Sequence, residues 1–384
     1  MLSLTVDAAT LLLKLAQTAR FASKPNSGSP IRDCILITAS SEGITLHASD
    51  AALGFTSSEI PAVIKEQGTI CIPATAFLAA VKAVGAGPVT LQEGTANRMI
   101  VRAPGVSYTL LGMPANEYPV RQPVDETAGL TFAAADLATA LGIVGPNIPG
   151  EDNRYGLSGI HMELYDGRAR FVATDGNRLA WAEAPAVGTM DLPRQSLIGR
   201  AGVVALANLL GTANLTGTDV IFAPGGKYIE IRTDVGTMHA QFITADFPDY
   251  RQVLPGKLGT TMTANRLDLL RAIDRVLPFA GGTIPEVLLT LPDGDAGESE
   301  LTMTTSKLDS GNSLVTLAIE ATGPAMKVNL NGKYLRDALI TMDCDEVTLG
   351  FSGILSPAIV VPKGTPTTGG KSARINIIMP VRAS

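Results

Sequence analysis

Cysteine, histidine and long apolar runs are scarce in this chain, and each scarcity closes off a class of protein. The three cysteines, Cys34, Cys71 and Cys344, lie far apart with neither metal-ligand nor redox spacing, and an odd number argues against a disulfide framework. Buried free thiols are expected. The three histidines, His47, His161 and His239, occupy similar strand contexts, which suits packing or surface roles better than ligation. No stretch reaches the roughly 18 consecutive apolar residues that a membrane-crossing helix needs, so no membrane partner is expected. No charged leader precedes the first apolar residues and Asp7 interrupts them, which argues against a signal peptide and for a cytoplasmic protein. Charge is also sparse, 17% against 46% hydrophobic, with a net formal charge of −6 over 384 residues. Several well-packed cores can be built from such a composition.

What the chain has is a threefold echo of itself. Leu4-Thr5-Val6 leading into Leu11, Leu12 and Leu15 returns as Leu130-Thr131-Phe132 leading into Leu137 and Leu141, and again as Met262-Thr263 leading into Leu267, Leu270 and Ile273. A second helix signal repeats likewise: Ile72-Pro73 before Phe77, Leu78 and Val81; Ile198-Gly199 before Val203, Val204 and Leu206; Leu330-Asn331 before Tyr334, Leu335 and Leu339. The period, a little over 120 residues, is too long for a solenoid unit and right for a domain. The 39 glycines and 24 prolines mark frequent turns between strands. These patterns predict an α+β chain of three similar domains, each with two helices packed on antiparallel sheets. Three like domains in one chain suit an assembly built by rotation, such as a ring.

Prolines set the boundaries. A strand runs into Met113-Pro114, another into Phe247-Pro248-Asp249-Tyr250-Arg251, and the last, Ile375 to Met379, into Pro380-Val381-Arg382. Proline cannot continue a ladder, so each exit reads as the end of a compact sheet. The expected domains are 1–122, 128–255 and 260–384, with linkers near 122–129 and 255–260.

Predicted helices at 7–20, 74–84, 133–145, 199–210, 264–277 and 332–341 hold nine basic residues against five acidic ones, a balance of +4 that leaves −10 elsewhere. Cationic helices in an acidic protein would attract a polyanion to one surface and repel it from the rest. In the fifth helix Leu270, Ile273 and Leu277 form an expected apolar stripe, with Arg271 and Arg275 opposite.

Five segments carry a family resemblance: Tyr155-Gly156-Leu157-Ser158-Gly159-Ile160, Ala173 to Ala180 (with Asp175-Gly176-Asn177), Phe247 to Arg251, Asn331 to Leu339, and Met379-Pro380-Val381-Arg382. In order and through the whole chain, they resemble the bacterial DNA polymerase III beta subunit, the sliding clamp. The resemblance implies a homodimeric six-domain ring that encircles duplex DNA without reading its sequence, and that tethers the polymerase III alpha subunit and other clients carrying clamp-binding motifs after a separate loader opens it. It implies DNA contacts at Arg20, Lys24, Tyr155 and Arg200, to which the helix charge pattern adds Lys14, Arg271 and Arg275 as expected contacts. A partner-peptide pocket would use Leu157, Thr174, Gly176, Arg178, Leu179, Pro248, Val253, Met379, Pro380, Val381 and Arg382. A head-to-tail joint would bring Tyr108 and Leu110 of one copy to Leu277 and Phe279 of the other. Familiar members carry a basic pair where Ala74-Thr75-Ala76 stands, some carry a tyrosine at Gly156, and Ala383 and Ser384 extend past the usual end.

No cofactor, metal or catalytic role is expected. Gly364-Thr365-Pro366-Thr367-Thr368-Gly369-Gly370-Lys371-Ser372 resembles a phosphate-binding loop, but its glycines are one residue too far apart and a strand follows where a helix should. Gly156-Leu157-Ser158-Gly159 lacks nucleophile-elbow spacing. Asp293-Gly294-Asp295 with Glu298 and Glu300 lacks the full pattern of a calcium loop. The alternatives are a clamp-like peptide scaffold that does not encircle DNA and a nucleotide-binding protein using the Gly364 loop.

Overall fold

The computed structural model describes residues 1–25, 28–119, 129–150, 155–190, 196–212, 219–224, 227–294, 298–307, 311–366 and 373–382. One order of elements occurs three times. The first pass is Ser3–Asp7 (β1), Ala8–Thr18 (α1), Cys34–Ala39 (β2), Ile44–Ser49 (β3), Leu53–Ser57 (β4), Ala62–Glu66 (β5), Gly68–Pro73 (β6), Ala74–Val84 (α2), Pro88–Glu93 (β7), Arg98–Ala103 (β8) and Val106–Leu111 (β9). The second is Gly129–Ala133 (β10), Ala134–Val144 (α3), Gly159–Tyr165 (β11), Arg168–Thr174 (β12), Arg178–Pro185 (β13), Val187–Thr189 (β14), Ser196–Gly199 (β15), Arg200–Thr212 (α4), Asp219–Pro224 (β16), Tyr228–Thr233 (β17) and Gly236–Thr244 (β18). The third is Thr260–Asn265 (β19), Arg266–Val276 (α5), Glu286–Leu291 (β20), Glu298–Lys307 (β21), Gly311–Thr322 (β22), Met326–Asn331 (β23), Gly332–Ile340 (α6), Glu346–Phe351 (β24), Ala358–Pro362 (β25) and Arg374–Ile378 (β26). The six predicted helices are therefore present within one or two residues of their expected ends.

Three helix starts have a local cause in a side-chain cap. Asp7 ends β1 in extended conformation and its Oδ1 accepts from the Thr10 amide at 2.9 Å. Asn265 caps α5 through the Leu267 and Asp268 amides, and Asn331 caps α6 through those of Lys333 and Tyr334. A strand-ending Asp or Asn thus satisfies amides that the first helical turn leaves without partners.

The stripes differ in detail from the sequence reading. In α5 the buried face is Leu269, Ala272, Ile273 and Val276, while Leu270 and Leu277 are half-buried and Leu267 is exposed. Val204 in α4 is exposed as well. The hydrophobic face sits one position away from the expected i, i+3, i+7 set, and Arg271 and Arg275 still point outward. Cys34 and Cys71 are buried, whereas Cys344 is only partly so; all three are free.

Two compact units partition the chain. The first comprises Met1–Ala135, Ala186–Pro193 and Val204–Phe242. It holds a five-stranded sheet, β5-β1-β7-β8-β9, and a nine-stranded one, β14-β10-β16-β17-β18-β4-β3-β2-β6. The second unit, Asp136–Pro185, Arg194–Val203 and Ile243–Ser384, holds twelve strands in the order β15-β11-β12-β13-β26-β25-β24-β19-β22-β21-β20-β23. Described ladders are antiparallel. In the third pass β22 runs unbroken, its start on β21 and its end on β19; in the first pass the same path breaks around Ile60-Pro61 into β4 on β3 and β5 on β1. Pro61 lacks the amide that an unbroken ladder would require.

One junction recurs inside the two units. In the first, Leu53 to Ser57 of β4 pair with Ala240 to Gly236 of β18. In the second, Arg178 to Ala182 of β13 pair with Ile378 to Arg374 of β26. The fourth strand of one repeat accepts the last strand of the next. Among the described residues, the counterpart edges at the two ends have no such partner: β9 pairs with β8 alone, and Gly311 to Ile319 of β22 pair with β21 alone.

Candidate functional site

Side chains of the second unit enclose a cleft of about 450 Å³. Leu157, Thr174, Gly176, Arg178, Leu179, Pro248, Val253 and Met379, all expected there, line it together with Gly156, Asp246, Asp249, Tyr250 and Ile377. Four pieces of chain converge: the short 3-10 turn Tyr155–Leu157, the β12–β13 hairpin, the segment from Asp246 through the 3-10 turn Tyr250–Val253, and the end of β26. Leu179, Tyr250 and Ile377 belong to a tight core cluster that includes Trp181 and Val172, so the apolar floor rests on rigid packing.

The hairpin is shaped by its own polar groups. Asp175 Oδ1 accepts from the amides of Asn177 and Arg178 at 2.9 and 3.0 Å; Thr174 Oγ1 accepts from the Gly176 amide at 3.1 Å and donates to the Arg178 carbonyl at 2.6 Å. Gly176 holds φ +88°, which a side chain would resist. At Gly156 the reason for glycine is space, since a Cβ there would overlap the Asp246 carbonyl oxygen.

Beneath the cleft lies a charged lattice. Tyr250 Oη donates to Glu163 Oε2 at 2.8 Å and accepts from Arg170 Nη1 at 3.3 Å. Arg251 Nη2 donates to both Glu163 oxygens at 2.8 and 2.9 Å. Burial alone would push the Glu163 carboxyl up, but hydrogen bonds from His161, Tyr250 and Arg251 and the Arg251 charge prevail and hold it at about 2. Arg170 donates to Glu183 at 2.7 Å and lies over the Trp181 ring at 4.8 Å. Arg178 is equally committed: Nε to Asp175 at 3.0 Å, Nη1 to Asp337 at 2.7 Å, Nη2 to the Pro146 carbonyl, and the guanidinium 4.3 Å over Tyr334.

Beyond Met379, Pro380 bridges to Leu330 and the Val381 amide donates to the Asn329 carbonyl at 2.8 Å, so this stretch, with the expected pocket residues Pro380, Val381 and Arg382, runs along β23. Met379, whose amide donates to the Asn177 carbonyl at 2.8 Å, is the last residue held at the cleft. Ala383 and Ser384 lie outside the described residues.

Of the expected DNA contacts, Arg20, Lys24, Arg271 and Arg275 are exposed, but Arg271 is paired with Asp268 at 3.1 Å. Arg200 is exposed and donates to the Ile148 carbonyl. Tyr155 is described in backbone only, within its 3-10 turn. Lys14, also expected at DNA, has its Nζ donating to Ser58 Oγ at 2.7 Å and the Val235 carbonyl at 3.2 Å, next to the β4–β18 junction. Burial there lowers its ammonium's proton affinity, with Asp234 opposing. Two helix cations that entered the charge balance are also spent internally: Arg266 donates to the Cys344 and Leu339 carbonyls, and Arg336 pairs with Asp274 at 2.6 Å.

At the unpaired edges, Tyr108 and Leu110 are half-buried on one face of β9 while Leu111 is 67% exposed on the other. Leu277 and Phe279 form a 3-10 turn just past α5, Leu277 half-buried and Phe279 exposed, and Leu314 on the open part of β22 is 66% exposed.

Other constellations reduce to structure. His47 and His239 stack at 6.0 Å within the first unit, and His161 stacks on Phe247 at 5.1 Å. Gly364 lies in the turn between the paired strands β25 and β26, with φ +80°, and β26 follows; Thr367 to Ser372 fall outside the described residues. Among the described residues no group of three His, Cys, Asp or Glu side chains is placed to hold a metal, and Asp295 is not described. No helix among them is long and apolar enough to cross a membrane.

Comparison with known proteins completes the picture. The DNA polymerase III beta subunit family matches in three parts: its N-terminal domain over residues 2–122, its central domain over 134–249 and its C-terminal domain over 251–375. The beta sliding clamp of Vibrio cholerae is 24% identical over 355 residues, covering 92% of each chain. Among solved structures, the DNA polymerase III beta subunit of Pseudomonas aeruginosa superposes with a TM-score of 0.89 at 22% identity, covering 99% of this chain and 100% of that one. A Bartonella birtlesii sliding clamp bound to griselimycin gives 0.89 at 26%, covering both chains fully. Three passes of one α+β pattern, each matched in order by the corresponding domain, place this chain in the DNA polymerase III beta subunit family, with the clamp fold.

Proposed function

We propose that this chain is a non-catalytic DNA sliding clamp: two copies close head to tail into a ring around duplex DNA and hold a polymerase, a loader and other clients to it. The observation that carries this reading is the recurring junction. Twice, the fourth strand of one repeat takes the last strand of the next through five residue pairs, and the same two kinds of edge stand open at the ends of the chain. An open acceptor edge on β22 and an open donor edge on β9 are complementary, and a second copy satisfies both at once. Such heterologous contacts form a ring when the rotation closes. Domains of 1–122, 128–255 and 260–384 are the proposed rotating units.

Apolar groups flank both edges. Tyr108, Leu110 and Leu111 on one side and Leu277, Phe279 and Leu314 on the other supply the hydrophobic part of the joint, and pairing the two edges covers apolar strand edges that would otherwise invite open-ended aggregation. DNA would be met by Arg20, Lys24, Arg200 and Arg275, with Tyr155 and the paired Arg271 as further proposed contacts. These are point charges with no base-reading module attached, which suits sequence-independent contact. The cleft, apolar with a glycine-shaped mouth, is the proposed dock for a short segment of a client protein, anchored by leucine or phenylalanine.

Loading the protein onto nicked circular DNA with a clamp loader tests the ring. Retention on the circle and escape after linearisation is the expected result; equal retention on both refutes topological binding. A clamp-like scaffold that binds clients without encircling DNA predicts a stable monomer in light scattering, against the expected dimer.

A further inference from the structure

We infer that Glu163 is a positioning residue for the cleft: from β11 its carboxylate holds the Tyr250–Val253 turn where Tyr250 and Val253 meet a client's apolar anchor. The inference rests on the peptide-dock reading above and names a residue in the lattice beneath it. The pieces of the wall are secured in different ways. The end of β26 is laddered between β13 and β25, and the β12–β13 hairpin is closed by Thr174 and Asp175. In the Tyr250–Val253 turn the Gln252 amide donates to the Asp249 carbonyl and the Leu254 amide to that of Arg251, both at 3.3 Å, while Asp249 Oδ1 accepts from the Arg251 amide at 3.2 Å. These long bonds close the turn on itself; side chains attach it to the sheet.

Two of those side chains end on one carboxylate. Glu163 and Arg170 are cross-strand partners in the β11–β12 ladder, and the Tyr250 hydroxyl sits between them, donating to Glu163 Oε2 at 2.8 Å and accepting from Arg170 Nη1 at 3.3 Å. Arg251 Nη2 donates to both Glu163 oxygens at 2.8 and 2.9 Å, and its guanidinium lies 4.9 Å over the Tyr250 ring. His161 Nε2 stands 3.5 Å from Glu163 Oε1 on the same strand. Consecutive residues of the turn are thereby fixed to β11 at their side-chain ends. Apolar packing against Trp181 and Phe247 keeps the Tyr250 ring in the core, and the hydroxyl's two partners set how deep it lies. Val253, on the same short turn, follows. An ionised carboxylate suits this place because both of its oxygens only accept. A glutamine would turn an amide nitrogen toward the Tyr250 and Arg251 donors, and a partly satisfied network of this kind loses more than one bond.

The chain's one tryptophan reports on this arrangement. Trp181 is buried, its ring 5.8 Å from that of Tyr250, with the Arg170 guanidinium 4.8 Å over it. Glu163→Gln, Glu163→Asp and Tyr250→Phe, each full-length and with native circular dichroism, are compared with the parent in two ways. One is Trp181 emission; the other is fluorescence polarisation of a fluorescein-labelled synthetic peptide with leucine and phenylalanine anchors. Glu163→Gln should hold the turn in place in about a tenth of the molecules, so that the peptide's apparent affinity falls about tenfold and Trp181 emission changes. Tyr250→Phe, which keeps the ring and the Arg251 bonds, should lose about threefold. Glu163→Asp, with both oxygens on a shorter stem, should fall between the parent and Glu163→Gln. Combining Glu163→Gln with Tyr250→Phe should cost less than the product of the single losses, because both remove the same bond. Parent affinity in folded Glu163→Gln, a loss with unchanged Trp181 emission, or losses that simply multiply overturns the inference while the dock stands. Should Glu163→Gln fail to fold, an unchanged affinity in Tyr250→Phe does the same. A parent protein that does not bind the peptide overturns the dock and the inference with it.

Discussion

Replacing Leu314 with lysine should split the proposed dimer while leaving each copy folded. Leu314 lies on the open edge of β22 with 66% of its surface exposed, so in a single chain it contributes little to the core. Full burial of a leucine is worth about 1.5 to 3 kcal/mol, and two-thirds of that, about 1 to 2 kcal/mol, remains to be gained when a partner edge covers it. A closed head-to-tail pair has two identical joints, so the substitution acts twice and removes about 2 to 4 kcal/mol before any cost of burying the ammonium. That corresponds to a dimer dissociation constant raised at least about 30- to 700-fold. Sedimentation velocity across a concentration series measures it, with circular dichroism to verify the fold. Leu111→Lys on β9, 67% exposed, should behave the same way; Val63→Lys on β5, equally exposed but away from both edges, should stay dimeric. If Leu314→Lys and Leu111→Lys sediment as the parent does, the strand-edge joint is wrong.

Further substitutions test the packing and the ion pairs. Glu163→Gln should destabilise the folded chain at pH 7 by on the order of 2 to 3 kcal/mol, because a carboxyl held at about 2 rather than 4.5 contributes stability that is fully present above about pH 4.5 and lost as pH falls through 2; the gap between the denaturant melts should therefore shrink below pH 4.5, to under about 1 kcal/mol near pH 2.5, and close below pH 2, and a constant gap would refute the linkage. Gly54→Ala puts a methyl into the His239 ring across the β4–β18 junction and should cost about 2 to 3 kcal/mol in a urea melt, whereas Gly85→Ala, where a Cβ meets open space at φ +81°, should show only the smaller backbone strain of about 1 kcal/mol. Arg178→Ala leaves Asp175 and Asp337 without their shared cation; with Asp337 38% exposed, solvent screening limits the loss to about 2 kcal/mol, and Arg178→Lys, unable to reach both carboxylates and the Pro146 carbonyl, should restore less than half of it.

The threefold order was legible because it is written in short-range signals. Strand-ending Asp7, Asn265 and Asn331 cap the next helix, and prolines such as Pro114, Pro248 and Pro380 end strands, so elements could be placed from local chemistry. Helix faces were less legible: in α5 the leucines at 267, 269 and 270 all fit some apolar stripe, and only packing against the sheet selects Leu269. The cleft's apolar residues could be assigned by resemblance, but its acids could not. Asp246 and Asp249 flank Phe247-Pro248 in plain view, yet nothing local says that the Gly156 turn draws this segment inward. The tail's pairing with β23 and the Lys14 contacts at the β4–β18 junction are long-range hydrogen bonds that no sequence periodicity announces.

The same distinction bears on how a clamp can be cationic yet slippery. By count, the helices carry nine basic residues, but the structure assigns Lys14 and Arg266 to internal carbonyl and hydroxyl partners and balances Arg271 and Arg336 with aspartates on their own helix or the neighbouring one. Arg20, Lys82, Arg275 and Lys333 keep exposed side chains with no ion pair among the described residues, and Lys24 joins them from the loop after α1. Each phosphate contact adds about 0.9 to the steepness with which affinity falls as salt rises, so a handful of well-separated cations gives weak and easily exchanged attraction. Weak contact alone would let a protein fall off DNA. In the proposed ring, closure through β9 and β22 would remove that exit, and the binding free energy would then no longer have to come from the phosphates. The internal use of half the helix cations is compatible with sliding in such a ring, because retention would fall to the strand edges, where the open hydrogen-bonding groups are.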